Sequence, residues 1–152
     1  MPTLYMMVGV PGSGKTTWVG NRKLTLKDYT VGSDYVIDEI ADLYDMTYTE
    51  AFPLVIKFAE KVMYQEIERA IEAGDNIYWD QTNISKKSRA EKLAKIPSDY
   101  RKVAVYFKVP DDLDKRLASR KDKTVPAHVI DVMVEMIEKP TLDEGFDEII
   151  EI

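Results

Sequence analysis

The sequence predicts an α/β fold, a parallel β-sheet with helices on both faces. Two observations carry this reading. Short apolar runs alternate with segments whose apolar residues recur every three or four positions, and strands alternating with helices build parallel sheets covered on both sides. The first run, Leu4-Tyr5-Met6-Met7-Val8, passes directly into Gly9-Val10-Pro11-Gly12-Ser13-Gly14-Lys15-Thr16. That stretch fits G-x-x-x-x-G-K-[ST], a phosphate-binding loop, in its confirming context between a strand and a helix.

The remaining elements follow in order. Thr17-Trp18-Val19 continues a short helix that ends before Asn21-Arg22-Lys23. Tyr29 to Asp34 reads as a second strand ending in a turn, with Ser33 or Asp34 able to cap the next helix. That helix, about Tyr35 to Tyr44, places Val36, Ile37, Ile40 and Leu43 on one side. Phe52, Val55, Ile56, Ala59, Met63, Ile67, Ala70 and Ile71 form one apolar stripe on the longest helix. Its start is open: Thr47 with Glu50 suits a capping box, whereas Pro53 prefers a first turn. Gly74 is its expected stop. Asn76 to Asp80 is a third strand ending in an acid, and a basic helix over Lys86–Lys95 is capped by Ser85. Lys102 to Val109 is a buried strand, Asp111 to Arg120 a helix, and a helix from Pro126 carries Val129, Ile130, Met133 and Ile137. Phe146 to Ile152 is expected to be an edge strand. Residues 1–152 show no internal repeat, linker or low-complexity stretch and read as one domain.

Composition narrows the class. No apolar run is long enough to span a membrane, the chain opens directly into its first strand without room for a signal peptide, and cysteine is absent. A cytoplasmic protein is the expectation. The net charge is −6, but residues 86–123 hold 13 Lys/Arg against 6 Asp/Glu, a net of +7. Such asymmetry predicts a local anion-binding face on an acidic body.

The motif carries specific chemistry. Gly9, Gly12 and Gly14 let the backbone curl so that amide groups point at phosphates, with Pro11, Ser13 and Thr17 completing the loop. Lys15 reaches the β- and γ-phosphates, and the Thr16 hydroxyl is placed to ligate Mg²⁺. The chain is therefore expected to bind a nucleoside triphosphate. Asp34 and Asp80 lie at strand ends beside the loop, where parallel sheets bind ligands. One can act as general base for an acceptor hydroxyl while the other holds Mg²⁺ or its water. Against this, an Asp at 34 is explained equally by a helix cap, and one at 80 by an ordinary turn. Arg116, Arg120, Lys121 and Lys123 supply positive charge for a transferring phosphoryl group, Arg116 and Arg120 being four apart on one helix face. The bland alternative is a solvated basic helix end. His128 is given no role.

These residues resemble the polynucleotide 5′-hydroxyl kinases of phage and animal repair type. The resemblance rests on the loop Gly9–Thr17 with Trp18, the strand end Ser33-Asp34, and Asp80-Gln81-Thr82-Asn83 with Arg89 beyond. It continues through Lys115-Arg116, Ser119-Arg120 and Val125-Pro126 to the closing Pro140–Phe146, and so covers nearly the whole chain. It implies a P-loop core with a small lid, ATP and Mg²⁺ as cofactors, and a nucleic-acid 5′ end as acceptor. Lys15 and Thr16 would hold the donor phosphates and Mg²⁺, and Asp34 would be the general base. Arg120 would be the lid arginine with Arg116 nearby, and Asp80, Asn83 and Arg89 would lie toward the acceptor. Phage-type members carry an arginine shortly after the base, where this chain reads Asp34-Tyr35-Val36-Ile37-Asp38-Glu39. The resemblance leaves a phage origin open. A small acceptor such as a nucleoside or nucleotide stays the alternative, and an ATP-hydrolysing switch protein ranks third.

Overall fold

The computed structural model describes residues 1–22, 24–120 and 123–152. Five strands, β1 (Thr3–Val8), β2 (Asp28–Val31), β3 (Asn76–Trp79), β4 (Arg101–Tyr106) and β5 (Glu148–Glu151), form one sheet in the order β2-β3-β1-β4-β5. Every neighbouring pair is parallel. Helices α1 (Lys15–Gly20), α2 (Ser33–Leu43), α3 (Tyr48–Ala73), α4 (Lys86–Leu93), α5 (Leu113–Ala118) and α6 (Ala127–Met136) fill the connections.

Strand alternation sorts the core onto two faces. Leu4, Met6, Ile77, Trp79 and Ala104 pack with Met63 and Ile67 of α3 and Leu93 of α4. Met7, Tyr78, Val103 and Val105 point the other way, with Val19 and Trp18 of α1. Helices thus cover both faces, as the alternating pattern predicts. A third cluster joins α2 to α3 through Val36, Ile37, Ala41, Ala51 and Ala59. A fourth gathers Val10, Leu113 and Ile130 beside the loop and supports α5 and α6.

The boundaries that differ have local causes. The cap of α2 is Gly32, so Ser33 and Asp34 are first-turn residues and Leu43 is exposed at the far end. Thr47 caps α3 by accepting from the Glu50 amide, which settles the open start and leaves Pro53 inside the helix. Gly74 closes α3 in the left-handed conformation. Strand β4 stops at Tyr106, and α5 spans only Leu113–Ala118, shorter than its charged sequence suggests. A 3-10 turn at Leu142–Glu144, bracketed by a Thr141–Glu144 capping box, was not anticipated.

The parallel order places the ends of β1, β2 and β3 side by side. Asp80 N donates to Val31 O at 2.8 Å, and Gly9 N to Thr82 O at 2.9 Å. The approach of β2 to β3 is so close that a Cβ on Gly32 would lie 2.5 Å from the Asp80 carbonyl oxygen. Gly32→Ala should therefore force the two strand ends apart. We expect a loss of about 1–3 kcal/mol, read as a lower urea midpoint with unchanged m.

Candidate functional site

The loop after β1 is held in a form few residues allow. Gly12 and Gly14 take φ of +82° and +105°, in the left-handed region. Gly9 lies beneath the loop, where a Cβ would meet Ser13 Oγ at 2.5 Å. The loop closes around Lys15, whose Nζ donates to Val10 O at 2.8 Å. The Ser13 hydroxyl is buried with no hydrogen-bond partner in the structure. A buried polar atom left so is costly unless an incoming group satisfies it, and a phosphate oxygen would. Gly12, Ser13, Gly14, Lys15, Thr16 and Thr17 line a cleft of about 660 Å³, together with Trp18, Asn21, Phe107, Arg116 and Arg120. That size suits a nucleotide.

Burial pushes the Lys15 ammonium down to about 8, the nearby carboxylates of Asp80 and Asp34 resisting and Arg120 adding to the shift. The lysine is a cation kept short of partners, and a polyphosphate in the cleft would restore them.

A smaller recess of about 130 Å³ adjoins the cleft, lined by Pro11, Lys15, Thr16, Asp34, Tyr35, Asp38, Asp80, Gln81, Thr82, Arg120 and Lys123. Here Thr16 Oγ1 donates to Asp80 Oδ2 at 2.8 Å, and the Tyr35 hydroxyl donates to the same oxygen at 2.6 Å. Asp34, exposed on the first turn of α2, accepts from the Tyr48 hydroxyl at 2.5 Å. Burial first, and then the facing carboxylate, hold both phenols well above the usual tyrosine range, so both remain donors. Among the described residues no group of three or more His, Asp or Glu is arranged to hold a metal. One hydroxyl and one carboxylate at 2.8 Å instead fit Mg²⁺, which keeps most of its shell for water and phosphate.

Lys15, Thr16, Asp34, Asp80 and Arg120 therefore meet around one recess, as their sequence positions anticipate. Arg116 and Arg120 share the nucleotide cleft, but not by lying on one helix face. Helix α5 ends at Ala118, Arg120 sits beyond it, and Arg116 is paired with Asp112 at 2.8 Å. Lys121 lies outside the described residues.

Two anticipated acceptor residues are placed elsewhere. Arg89 is fully buried. Its Nε and Nη2 donate to Glu144 at 2.8 and 3.1 Å, and Nη1 donates to Asn83 O and Ile84 O. Asn83 adopts φ of +46° and donates through Nδ2 to Met7 O at 2.7 Å, while its Oδ1 accepts from Lys92. Both side chains are committed to holding the loop after β3. Among the described residues, the basic stretch 86–123 does not gather on one face. Arg89 and Lys92 are turned inward, Arg101 pairs with Glu148 on β5, and Lys102 bonds Pro97 O and Tyr100 O. Sequence reasoning also missed Tyr35 and Tyr48, since an isolated tyrosine carries no motif.

A family profile described as an AAA domain matches residues 4–140, and the chain belongs to that family. The human heterogeneous nuclear ribonucleoprotein U-like protein 2 is 28% identical over 151 residues, 95% of this chain but only 20% of that protein. The chain thus spans about a fifth of this relative's length. Among solved structures, a protein from Chloroflexus aurantiacus provisionally named a kinase superposes with a TM-score of 0.66 at 16% identity, covering 99% of this chain and 84% of that one. A chain of a Pnkp1/Rnl/Hen1 complex gives 0.59 at 20% identity over 83% and 42%. A chain of the PezAT toxin–antitoxin system of Streptococcus pneumoniae gives 0.56 at 17% over 76% and 50%. The five-stranded parallel sheet flanked by helices matches the P-loop NTPase-like kinase fold. No helix among the described residues is long and apolar enough to cross a membrane.

Two measurements check the site. Phosphates should raise the Lys15 pKa on binding, so above about pH 8, where the terminal phosphate is already ionised, nucleotide affinity should weaken as pH rises, by up to about tenfold per unit. Titration calorimetry should show that slope abolished in Lys15→Met. Arg89→Met leaves Glu144 without its cation and should cost about 3–5 kcal/mol of stability in urea melts.

Proposed function

We propose that this chain is an ATP-dependent phosphotransferase that moves the γ-phosphate of ATP to a hydroxyl, and that the hydroxyl is the 5′-OH of a DNA or RNA strand. The observation that carries the proposal is the meeting of Lys15, Thr16, Asp80, Asp34 and Arg120 at the junction of a nucleotide-sized cleft with a recess. Residues 1–152 act as one kinase domain in this reading.

The loop amides and Lys15 hold the donor phosphates. Thr16 and Asp80 would hold Mg²⁺, which when bound neutralises charge on the β- and γ-phosphates. Asp34 accepts the proton of the acceptor hydroxyl as its oxygen attacks the γ-phosphorus in line, and ADP leaves. Arg120 lines both cleft and recess and so stands beside the transferring group, where a guanidinium stabilises charge without being able to lose its own.

Two features support a polymer end as acceptor. The recess at Asp34, about 130 Å³, is smaller than pockets that enclose a metabolite, so it suits the tip of a larger molecule. A structural neighbour is found in a Pnkp1/Rnl/Hen1 complex. A small acceptor is the second reading, favoured by the dispersal of the basic stretch 86–123 over the body and interior rather than along one strand-binding face.

The test is γ-labelled ATP with Mg²⁺ and a panel of 5′-OH DNA and RNA oligonucleotides, nucleosides and nucleoside monophosphates. Label should appear on oligonucleotide ends and be lost in Lys15→Ala and Asp34→Asn, with acceptor binding that weakens steeply with salt. Label on a nucleoside or nucleotide would select the second reading. ATP loss with no acceptor labelled would overturn both.

A further inference from the structure

We propose that Gln81 is an acceptor-binding residue, whose one uncommitted amide N–H donates to an oxygen of the strand end beside the 5′-OH. The inference rests on the kinase reading above. Gln81 follows Asp80 past β3 and lines the recess together with Asp34 and Asp80. It is half-buried, so the protein holds its side chain while the recess can still reach it.

A carboxamide offers two lone pairs on its oxygen and two N–H donors. Gln81 Oε1 accepts from Lys92 Nζ at 2.7 Å and from Trp79 Nε1 at 3.1 Å, which uses both lone pairs. An ammonium and an indole N–H can only donate, so the carbonyl faces them and the NH₂ group faces away. Nε2 donates to the buried Ser33 Oγ at 3.0 Å, one residue before Asp34. Three of the four positions are taken, and among the described residues no protein group takes the fourth, an N–H. Lys92 is itself anchored, since it also donates to Asn83 Oδ1 and its ammonium lies 5.2 Å from the Trp79 ring centroid. Two fixed donors behind Gln81 thus set which end of its amide is offered to a ligand.

The recess has a use for that donor. Asp34, Asp38 and Asp80 line it, and the hydroxyl protons of Thr16 and Tyr35 are already spent on Asp80. A strand end brings its sugar ring oxygen and the oxygens of its first phosphate close to the 5′-OH. Desolvating either kind of oxygen among carboxylates is costly unless a donor meets it. The Gln81 N–H meets it without placing a further charge beside the base.

The test measures KM for a 5′-OH oligonucleotide and KM for ATP in the full chain, with γ-labelled ATP and Mg²⁺. Gln81→Met keeps the length of the side chain and removes the N–H. It should raise the oligonucleotide KM about five- to tenfold, the scale of one hydrogen bond, and leave the KM for ATP unchanged. Methionine also leaves Lys92 and Trp79 without their acceptor, so Gln81→Glu is assayed beside it. A carboxylate keeps an oxygen toward both donors but has no N–H, and it should raise the oligonucleotide KM at least as far. Lys92→Met leaves Gln81 in place with its amide free to turn, and a smaller rise is expected; no rise would overturn the part assigned to Lys92. A second oligonucleotide carries a methylphosphonate in place of its first phosphate. A Gln81→Met effect that shrinks on this strand assigns the contact to the phosphate, and an equal effect on both strands assigns it to the sugar ring oxygen. An unchanged oligonucleotide KM in both Gln81 variants, with the wild type labelling the strand, would overturn the inference and leave the kinase reading standing. Equal rises for oligonucleotide and ATP would reduce Gln81 to a support of the loop and overturn it as well. If the wild-type chain labels no oligonucleotide, the polynucleotide reading fails first and this contact falls with it.

Discussion

The site depends on one constraint, the central position of β1 in a wholly parallel sheet. Because β3 and β4 pair with its two sides, the loop leaving its carboxyl end has β3 on one flank and β4 on the other. Asp80 then needs no special device to reach Thr16. It is simply the first residue past β3, one strand away from the loop. Asp34 is one strand further, past β2, and arrives at the same edge because β2 runs in the same direction. Gly32 matters for the same reason, since only a residue without a Cβ lets the β2 end lie against the Asp80 carbonyl.

Electrostatics follow from how that edge is closed. The loop buries Lys15 and lets Val10 O serve as its partner. Burial disfavours the charged form of this lysine by more than the nearby carboxylates of Asp80 and Asp34 restore it. The tyrosines act in the opposite sense. Tyr35 and Tyr48 each present a proton to a carboxylate, and the low tendency of both phenols to ionise keeps those contacts intact across the working pH range.

The basic segment shows why linear charge is a poor guide to a binding face. Its described residues come from α4, β4, α5 and the connections after them, so that Arg89 turns into the core, Arg101 lies against β5, and Arg116 and Arg120 line the cleft. Arg89 spends its guanidinium on Glu144 and two carbonyls, tying the loop after β3 to the closing segment. Glu144 sits below the usual carboxylate range even though burial opposes its ionisation, because Arg89 and the Thr141 amide outweigh the desolvation. The Pro140–Phe146 stretch is in this way a clasp: Phe146 enters the core while Glu144 holds the arginine.

By itself the sequence determined the fold class, the phosphate loop and the sides of most helices, because these depend on local spacing: period two for strands, period 3.6 for helices, and glycines where φ must be positive. It also placed Asp80 just past a strand and Lys15 and Thr16 in the loop and helix start that follow one, since a strand end is visible where an apolar run stops, whereas Asp34, expected at a strand end, lies in the first turn of α2. Tertiary structure alone decided which of these residues meet and what holds them. Tyr48 reaches Asp34 across 14 positions, Lys123 reaches Asp38 across 85, and Arg89 reaches Glu144 across 55. No periodicity encodes such pairs. They exist only once the sheet order has brought distant segments together, so a buried clasp and a cleft arginine look alike in the chain and differ only in what the fold sets beside them.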